Sequence, residues 1–397
     1  MASSNDKNLL LECFVENLEL PDSAYEKATE RYEDLGAYLG RNGAPLSGFD
    51  PHIFPQGSFR LGTAIRPINQ EEEYDLDLAC KLRVGVNKET WTQEKLKNVL
   101  GLELNSYRKE RGIQKALEAK HRCWRLEYKD QLSFHMDIVP CIPADDKRRQ
   151  VIMESMHAAG VEQIIANAVS QTTVYITDDR HPSFKSVCSD WNISNPEGYA
   201  TWFESRMRPV AAGMEHMAEA QIDAVPLFKR KTPLQRAIQL LKRHRDNWCK
   251  SNPDCKPISI IITTLAAQAY NGEADIADAI GSILKNIPTL IRPQRPHVPN
   301  PVDPQEDFAD RWYKPECADL ELERNFKLWM YQAQNDFSVV FSTTELQQLN
   351  EQMESKFSLV GTNLSEKVQR MYSSGKHTPR VQVIDPRETQ KPWRKSL

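Results

Sequence analysis

Apolar positions near the N-terminus follow the spacing of helices. Between residues 8 and 39, leucine, phenylalanine and tyrosine side chains recur three or four positions apart, which places them on one face of a helix. Pro21-Asp22-Ser23 interrupts this pattern with residues that break and cap helices. The pattern therefore predicts two helices.

A different period follows, with polar and apolar residues alternating one by one. This alternation runs through Tyr74–Leu82, Cys123–Tyr128 and Ser133–Val139, and it predicts strands that each bury one face. Lys129-Asp130-Gln131 lies between the last two strands and predicts a hairpin turn.

Beyond residue 150 the spacing becomes helical again. The predicted helical segments are Val151–Ala168, Tyr199–Glu219, Pro233–Trp248, Ile258–Tyr270 and Leu320–Phe357. Six prolines between Pro288 and Pro304 predict an extended strap rather than regular structure. The polar and basic segment 373–397 predicts a flexible C-terminal tail.

These elements predict an α/β (α+β) fold, in which a mixed sheet is followed by a helical second lobe with a cleft between them. We expect residues 1–50 to form N-terminal helices that pack across both lobes. Residues 51–150 would form the core sheet, and residues 151–372 the helical lobe.

Composition narrows the class of protein. The chain has 397 residues, 40% hydrophobic and 27% charged, without an apolar run long enough for a membrane helix. No signal peptide is evident and the eight cysteines are scattered, which predicts a cytoplasmic protein with reduced thiols and no membrane association. The net charge of −4 disfavours a long polynucleotide partner, and no template is expected.

Three carboxylates carry the predicted chemistry. Asp75 and Asp77 are two apart on an alternating strand, so both project from the face opposite its apolar residues. On the later strand, His135 and Asp137 project away from the buried set in the same way. If the strands are neighbours, the aspartates converge, and such a group of like charges favours divalent cations. An isolated pair of this kind is more often a solvated polar face.

The segment Gln56-Gly57-Ser58 precedes this strand. Gly57 permits close approach of the backbone, and Ser58 offers a hydroxyl and an N–H at a turn or helix start, which suits a triphosphate. A Gly-Ser pair alone has no predictive value. Followed by the two aspartates on a strand and a third aspartate on a later one, it predicts nucleotidyl transfer.

Here the chain resembles a known family. The run GSFRLGTAIRPINQEEEYDLDLACKL is similar to the signature of DNA polymerase β-like nucleotidyltransferases. More narrowly, the chain resembles the CD-NTases, bacterial relatives of cyclic GMP–AMP synthase and oligoadenylate synthetase. That similarity extends over FHMDIVP around Asp137, SNPEGYATWFESRM, TPLQRAIQLLKRHRD and NPVDPQEDFADRW, and so over about residues 50 to 315.

The resemblance implies an activity. Such enzymes join ATP or other nucleoside triphosphates without a template, release pyrophosphate and close a cyclic di- or trinucleotide. The product acts as a second messenger, commonly in antiphage (CBASS) signalling. Adenine is the base that the family suggests, with a cyclic trinucleotide ahead of a dinucleotide. The resemblance also implies a CBASS accessory protein, which the tail would engage; we expect a monomer.

The resemblance also implies roles for residues. Asp75, Asp77 and Asp137 would be catalytic and would hold two Mg²⁺ ions, with Mn²⁺ as a substitute. Gln56, Gly57 and Ser58 would bind nucleotide. So would Lys242 and Ser259, which match a lysine and a serine that contact donor phosphates in relatives. The alternatives are a solvated basic face for Lys242 and a helix N-cap for Ser259.

Weaker candidates surround this set. Arg60 and Arg66 flank the Gly-Ser segment and would meet triphosphate charge or only solvent, and His135 would support the aspartates. The spacing of His244, Cys249 and Cys255 suits zinc but lacks a fourth ligand.

Two other functions stay open at this point. An RNA- or tRNA-tailing enzyme of the same superfamily would share the catalytic motif but bind RNA with a steep salt dependence. A nucleotide-binding regulator without activity is disfavoured, because all three aspartates are present.

Overall fold

A computed structural model describes residues 4–68, 74–128, 134–207, 231–343 and 345–358. Its helices, numbered in chain order, are α1 Ser4–Leu18, α2 Asp22–Leu39, α3 Gly57–Leu61, α4 Gln93–Glu110, α5 Asp146–Ala158, α6 Gln163–Gln171, α7 Pro196–Met207, α8 Pro233–Trp248, α9 Ser259–Ala269, α10 Ile276–Leu290, α11 Leu322–Ser342 and α12 Leu346–Phe357. Its strands are β1 Pro51–Pro55, β2 Tyr74–Leu82, β3 Glu118–Ala119, β4 Trp124–Tyr128, β5 Phe134–Pro143, β6 Val174–Ile176, β7 Asn192–Ser194, β8 Pro299–Asn300 and β9 Asp303–Asp307.

A seven-stranded mixed sheet forms the first part of the fold. Its order is β1-β2-β5-β4-β3, and β6 and β7 extend it from the far end of β5. The central pair, β2 and β5, is parallel, whereas β1 joins β2 and β4 joins β5 in antiparallel fashion. The predicted strands and the mixed α/β class are confirmed.

The described residues form two large hydrophobic cores and a third, small one that contains Phe54 and Cys141. One large core lies between the sheet and helices α2 and α4, with Leu76, Leu78 and Phe134 fully buried in it. The other is built mainly from α1 and α5 to α12 and is centred on α8. The two N-terminal helices therefore pack on different cores, α1 with the helical part and α2 with the sheet.

The predicted helical segment Val151–Ala168 is divided between two helices. Helix α5 ends at Ala158, and Gly160 follows with a φ of 85°. A left-handed residue of this kind terminates a helix, and glycine adopts it without a steric penalty. Helix α6 then starts at Gln163.

The predicted proline strap is wrong at its two ends, whereas residues 291–298 between them form neither helix nor strand. Pro288 lies inside α10, where the Leu284 carbonyl would lose its backbone donor. The Gln334 side chain supplies a replacement, with Nε2 donating to that carbonyl at 2.8 Å. Further on, β8 and β9 pair with each other, and the Asp307 carboxylate accepts three backbone N–H groups around them.

Several predictions fall on other parts of the chain. The hairpin turn at Lys129-Asp130-Gln131, the end of the helix predicted at Tyr199–Glu219 and the tail 373–397 lie outside the described residues. Among the described residues, no helix is long and apolar enough to cross a membrane.

Candidate active site

The sheet brings the three aspartates to one face. Because β2 and β5 are parallel neighbours, Asp77 lies directly across from Asp137, and Asp75 lies across from His135. The alternating apolar residues of both strands are buried on the opposite face; these are Leu76, Leu78, Phe134, Met136 and Ile138. Burial of that face forces the polar residues toward the cleft side.

Two of the aspartates already have a basic side chain beside them. Arg125 on β4 lies across from Asp137 and donates two hydrogen bonds to its carboxylate, from Nε and Nη2, each at 2.7 Å. His135 Nε2 contacts the Asp75 carboxylate. In this arrangement no three His, Cys, Asp or Glu side chains of the described residues are grouped to hold a metal ion.

The surroundings of Asp77 disfavour the ionised form of its carboxyl group. Burial, and then the charges of Asp75 and Asp137, raise its pKa to about 7, although His135 and Lys242 act in the other direction. A carboxylate in such a position gains most from a nearby cation. The oxygen-only donor set and this unbalanced charge fit a hard divalent ion.

Gly57 at the start of α3 lies against Asp77. A Cβ atom at this position would lie 2.3 Å from Asp77 Oδ2, and the φ of Gly57 is 64°. Both facts require glycine here. The neighbouring Gln56 donates its backbone N–H to the Asp77 carbonyl at 2.8 Å, which fixes the start of α3 beside the aspartates.

A cavity of about 380 Å³ opens beside these groups. Its walls include six of the eight residues predicted for the site, namely Gly57, Ser58, Asp75, Asp77, Lys242 and Ser259. Asp137 does not line the cavity. It lies beside the site because it is directly across from Asp77 on the neighbouring strand. Gln56 does not line it either, since its side-chain amide bonds to the Leu78 carbonyl at 3.3 Å.

Lys242 belongs to a basic run that is buried rather than solvated. Lys242, Arg243, His244 and Arg245 are each at most 5% exposed, so the alternative of a solvated face is wrong. Burial, and then the charge of Arg245, lower the pKa of Lys242 to about 7. Its Nζ donates to the Thr63 carbonyl at 2.8 Å.

Helix α8 also holds the neighbouring cavity wall. The amides of Gln235 and Gln239 donate to the Leu61 and Ala64 carbonyls at 2.9 and 2.8 Å. Together with Lys242, one face of the helix therefore donates to three carbonyls of the segment 61–64. This link between helix and loop was not foreseen from the sequence.

Ser259 is the first residue of α9, and the N-cap position belongs to Ile258. The N-cap alternative for Ser259 is therefore wrong. Its hydroxyl oxygen instead accepts a hydrogen bond from Arg245 Nη1 at 2.9 Å.

The flanking candidates have mixed outcomes. Arg60 is buried and pairs with Glu204 at 2.6 Å, away from the cavity. Arg66 lines the cavity, and its backbone N–H donates to the Leu18 carbonyl at 2.9 Å. His135 contacts an aspartate, as described above.

The zinc alternative is wrong in this structure. Both ring nitrogens of His244 are occupied, since Nε2 lies 3.0 Å from the Asp336 carboxylate and Nδ1 accepts from the Trp329 indole at 3.1 Å. His244, Cys249 and Cys255 form no metal-holding group among the described residues.

Comparison with known proteins agrees with this geometry. The family model described as "Cyclic GMP-AMP synthase DncV-like, nucleotidyltransferase domain" matches residues 51–141. A c-di-GMP synthase of Roseivirga ehrenbergii is 32% identical over 325 residues, which cover 80% of this chain and 77% of that protein. The chain belongs to the CD-NTase family.

Other relatives extend the similarity. The cyclic dinucleotide synthase CdnG of Bradyrhizobium diazoefficiens is 27% identical over 325 residues, covering 78% of this chain and 71% of that protein. The solved structure of that CdnG in complex with GTP has a TM-score of 0.64 at 21% identity, and covers 92% of this chain and 97% of the other. The polymerase β-like fold is thereby confirmed.

Membership of the CD-NTase family fixes the general reaction. The chain is a nucleotidyltransferase of the group that makes cyclic oligonucleotides from nucleoside triphosphates. Enzymes of this family are generally metal-dependent.

Proposed function

We propose that this CD-NTase joins purine nucleoside triphosphates into a cyclic dinucleotide. One observation carries the proposal. The carboxylates of Asp75 and Asp77 line the same cavity as Gly57, Ser58 and Lys242, which are residues of the kind that bind phosphate. In each step a ribose hydroxyl oxygen bonds to the α-phosphorus of a second nucleotide. The bond from that phosphorus to pyrophosphate breaks, and the hydroxyl proton is released.

We further propose that Asp75, Asp77 and Asp137 hold two Mg²⁺ ions, which Mn²⁺ can replace. The fit rests on the oxygen-only donor set and on the raised pKa of Asp77. When bound, such ions align the attacking and leaving oxygens and neutralise developing charge. Arg125 and His135 are the side chains that Asp137 and Asp75 would exchange for metal.

The remaining residues bind and orient the nucleotide in this proposal. Ser58 and Ser259 each present a hydroxyl to the cavity, and Lys242 brings the positive charge that a triphosphate requires. Asp137, which lies across from Asp77 on the neighbouring strand, would accept the proton of the attacking hydroxyl after exchanging Arg125 for metal. Gly57 keeps the backbone of α3 close to the Asp77 carboxylate.

The substrate proposal shifts from adenine toward guanine. One relative is a c-di-GMP synthase, another is a cyclic dinucleotide synthase, and the latter's structure contains GTP. We therefore propose GTP as a substrate, with ATP as the second nucleotide to test and a dinucleotide ahead of a trinucleotide.

The experiment incubates the purified chain with GTP, ATP, CTP and UTP, separately and together, with Mg²⁺ or Mn²⁺. Products are treated with phosphatase and resolved by mass spectrometry. A phosphatase-resistant cyclic dinucleotide that contains guanine is expected. Linear products alone, or products only after RNA is added, would instead favour a tailing enzyme.

The control for the metal assignment is the double variant Asp75→Asn with Asp77→Asn, which should form no product. Residual turnover near the wild-type rate in this variant would contradict the assignment of these aspartates.

We also propose that the product is a second messenger in antiphage defence, with an accessory protein bound through the tail 373–397. Support for this part comes from the family resemblance. Cells that carry the wild-type gene with its neighbouring genes should resist phage, and the Asp75→Asn, Asp77→Asn variant should not. Equal plaque counts for both would contradict it.

A further inference from the structure

Arg245 lies behind the wall of the nucleotide cavity and is not among the residues that line it. Its side chain is 5% exposed. Nη1 donates to the Pro257 carbonyl and to the Ser259 hydroxyl oxygen, both at 2.9 Å. Nε and Nη2 donate to one carboxylate oxygen of Asp246 at 2.9 and 2.7 Å. Four hydrogen bonds thus fix the planar guanidinium.

This arrangement determines how Ser259 can bond. A guanidinium only donates, so the Ser259 oxygen must be the acceptor of the Arg245 bond. The hydroxyl hydrogen is then left for another acceptor, and none is found for it among the residues that the structure describes. Ser259 lines the cavity together with Ser58 and Lys242. Its hydrogen is therefore available to an acceptor oxygen inside the cavity.

Arg245 also fixes the segment that carries Ser259. The Pro257 carbonyl belongs to the turn that enters α9, two residues before Ser259. One guanidinium group therefore holds both the backbone of this turn and the side chain that follows it. Because the guanidinium is planar and its donors have a fixed geometry, the position of the hydroxyl relative to α8 is set by Arg245.

We propose that Arg245 is a positioning residue, which holds the Ser259 hydroxyl so that its hydrogen is donated to a phosphate oxygen of the bound nucleoside triphosphate. Arg245 acts through Ser259 and does not touch the substrate. The inference rests on the proposed function, because the phosphate is that of the proposed substrate. It adds a residue for which the sequence carried no assignment beyond a basic run.

The test is a double-mutant cycle with Ser259→Ala and Arg245→Lys. Affinity for a non-hydrolysable GTP analogue is measured by calorimetry with Mg²⁺, and KM and kcat for GTP are measured alongside. Each single variant should weaken binding about tenfold, the effect of about 1.4 kcal/mol for one charge-assisted hydrogen bond. The double variant should also lose about tenfold, because two residues that act through one contact are not additive.

Arg206 offers a matched control at the other end of α9. Its Nε and Nη2 donate to the Ala267 and Tyr270 carbonyls at 2.9 and 3.0 Å. Arg206→Lys therefore weakens the anchoring of the same helix by the same chemical change, away from the cavity. It should lower the melting temperature without changing the affinity for the analogue or the KM for GTP.

Several outcomes would overturn the inference. These are a loss of about a hundredfold in the double variant, an Arg245→Lys variant with wild-type affinity, or an Arg206→Lys variant that weakens binding as much as Arg245→Lys. If Arg245→Lys does not fold, Arg245→Gln takes its place, and failure of both to fold would make Arg245 a structural residue and sink the idea.

The proposed function fails separately. A wild-type protein that neither binds the analogue nor forms product would refute that function together with this inference. An active wild-type protein with additive variants would refute the inference alone.

Discussion

Replacing Asp77 by asparagine is expected to stabilise the metal-free protein at pH 8 while removing its activity. Burial and the neighbouring carboxylates raise the pKa of Asp77 from 3.8 to about 7. At pH 8 the folded protein must hold this group as an anion in a site that disfavours the charge, whereas an unfolded chain ionises it freely. Asparagine has nearly the same shape and no charge, so the variant avoids the penalty.

The magnitude follows from the difference in pKa. About three units correspond to at most about 4 kcal/mol, because one unit is about 1.4 kcal/mol. The side chain is only half-buried and the site can relax, so we expect a gain of about 1–2 kcal/mol in the free energy of unfolding. In a chain of this size, this raises the melting temperature by roughly 1–3 °C.

The gain in the free energy of unfolding should depend on pH in a characteristic way. A carboxyl group whose pKa is raised in the folded state favours folding below its unfolded pKa, and this contribution is lost as the pH rises to about 7. The gap between Asp77→Asn and wild type should therefore be largest at pH 8, shrink as the pH falls below about 7 and vanish below the unfolded pKa of 3.8.

The assay is thermal unfolding in EDTA, followed by circular dichroism at several pH values. Asp190→Asn is the control, because the Asp190 side chain is 95% exposed and its replacement should give no comparable gain. Added Mg²⁺ should stabilise the wild type more than Asp77→Asn, since the ion binds the folded state through this carboxylate. An Asp77→Asn variant that melts at or below the wild-type temperature at pH 8 would refute the reasoning.

Two further substitutions test the same site. Gly57→Ala should reduce kcat at least a hundredfold, because the added Cβ lies 2.3 Å from Asp77 Oδ2 and misplaces the carboxylate. The control is Gly272→Ala, at a φ of 86° with open space around it, which should leave kcat unchanged. Equal effects of the two substitutions on kcat would contradict the argument. Arg125→Met should lower the free energy of unfolding of the metal-free protein by about 1–3 kcal/mol, because Asp137 loses two charge-assisted hydrogen bonds. Calorimetry should also show tighter Mg²⁺ binding by this variant. An unchanged melting temperature in EDTA would count against this prediction.

The sequence by itself determined which face of each strand carries the aspartates. Alternation in β2 and β5 requires that, once Leu76 and Met136 are buried, Asp77 and Asp137 face away from that core. The helical spacing around Lys242 likewise predicted α8 with the ends that the structure shows, Pro233 and Trp248. These features depend on local periodicity, which a single sequence displays directly.

Pairing and register were decided only by the tertiary structure. Nothing local to β2 states that β5 is its parallel neighbour, or that Asp77 rather than Asp75 lies across from Asp137. Arg125 could be placed on the polar face of β4 by its alternation with Trp124 and Leu126. Its pairing with Asp137 depends on the strand register, which was not predicted.

The tertiary structure also determined which elements are buried as a whole. From the sequence, a run of basic residues such as Lys242 to Arg245 is expected to be a solvated face. In the structure other elements surround the helix and supply carbonyl and carboxylate partners. Pro288 reads as a helix breaker until Gln334, far along the chain, bonds to the carbonyl left without a donor. In both cases the partner is distant in sequence, and hydrogen bonds to distant partners leave no periodic trace in the residues that they stabilise.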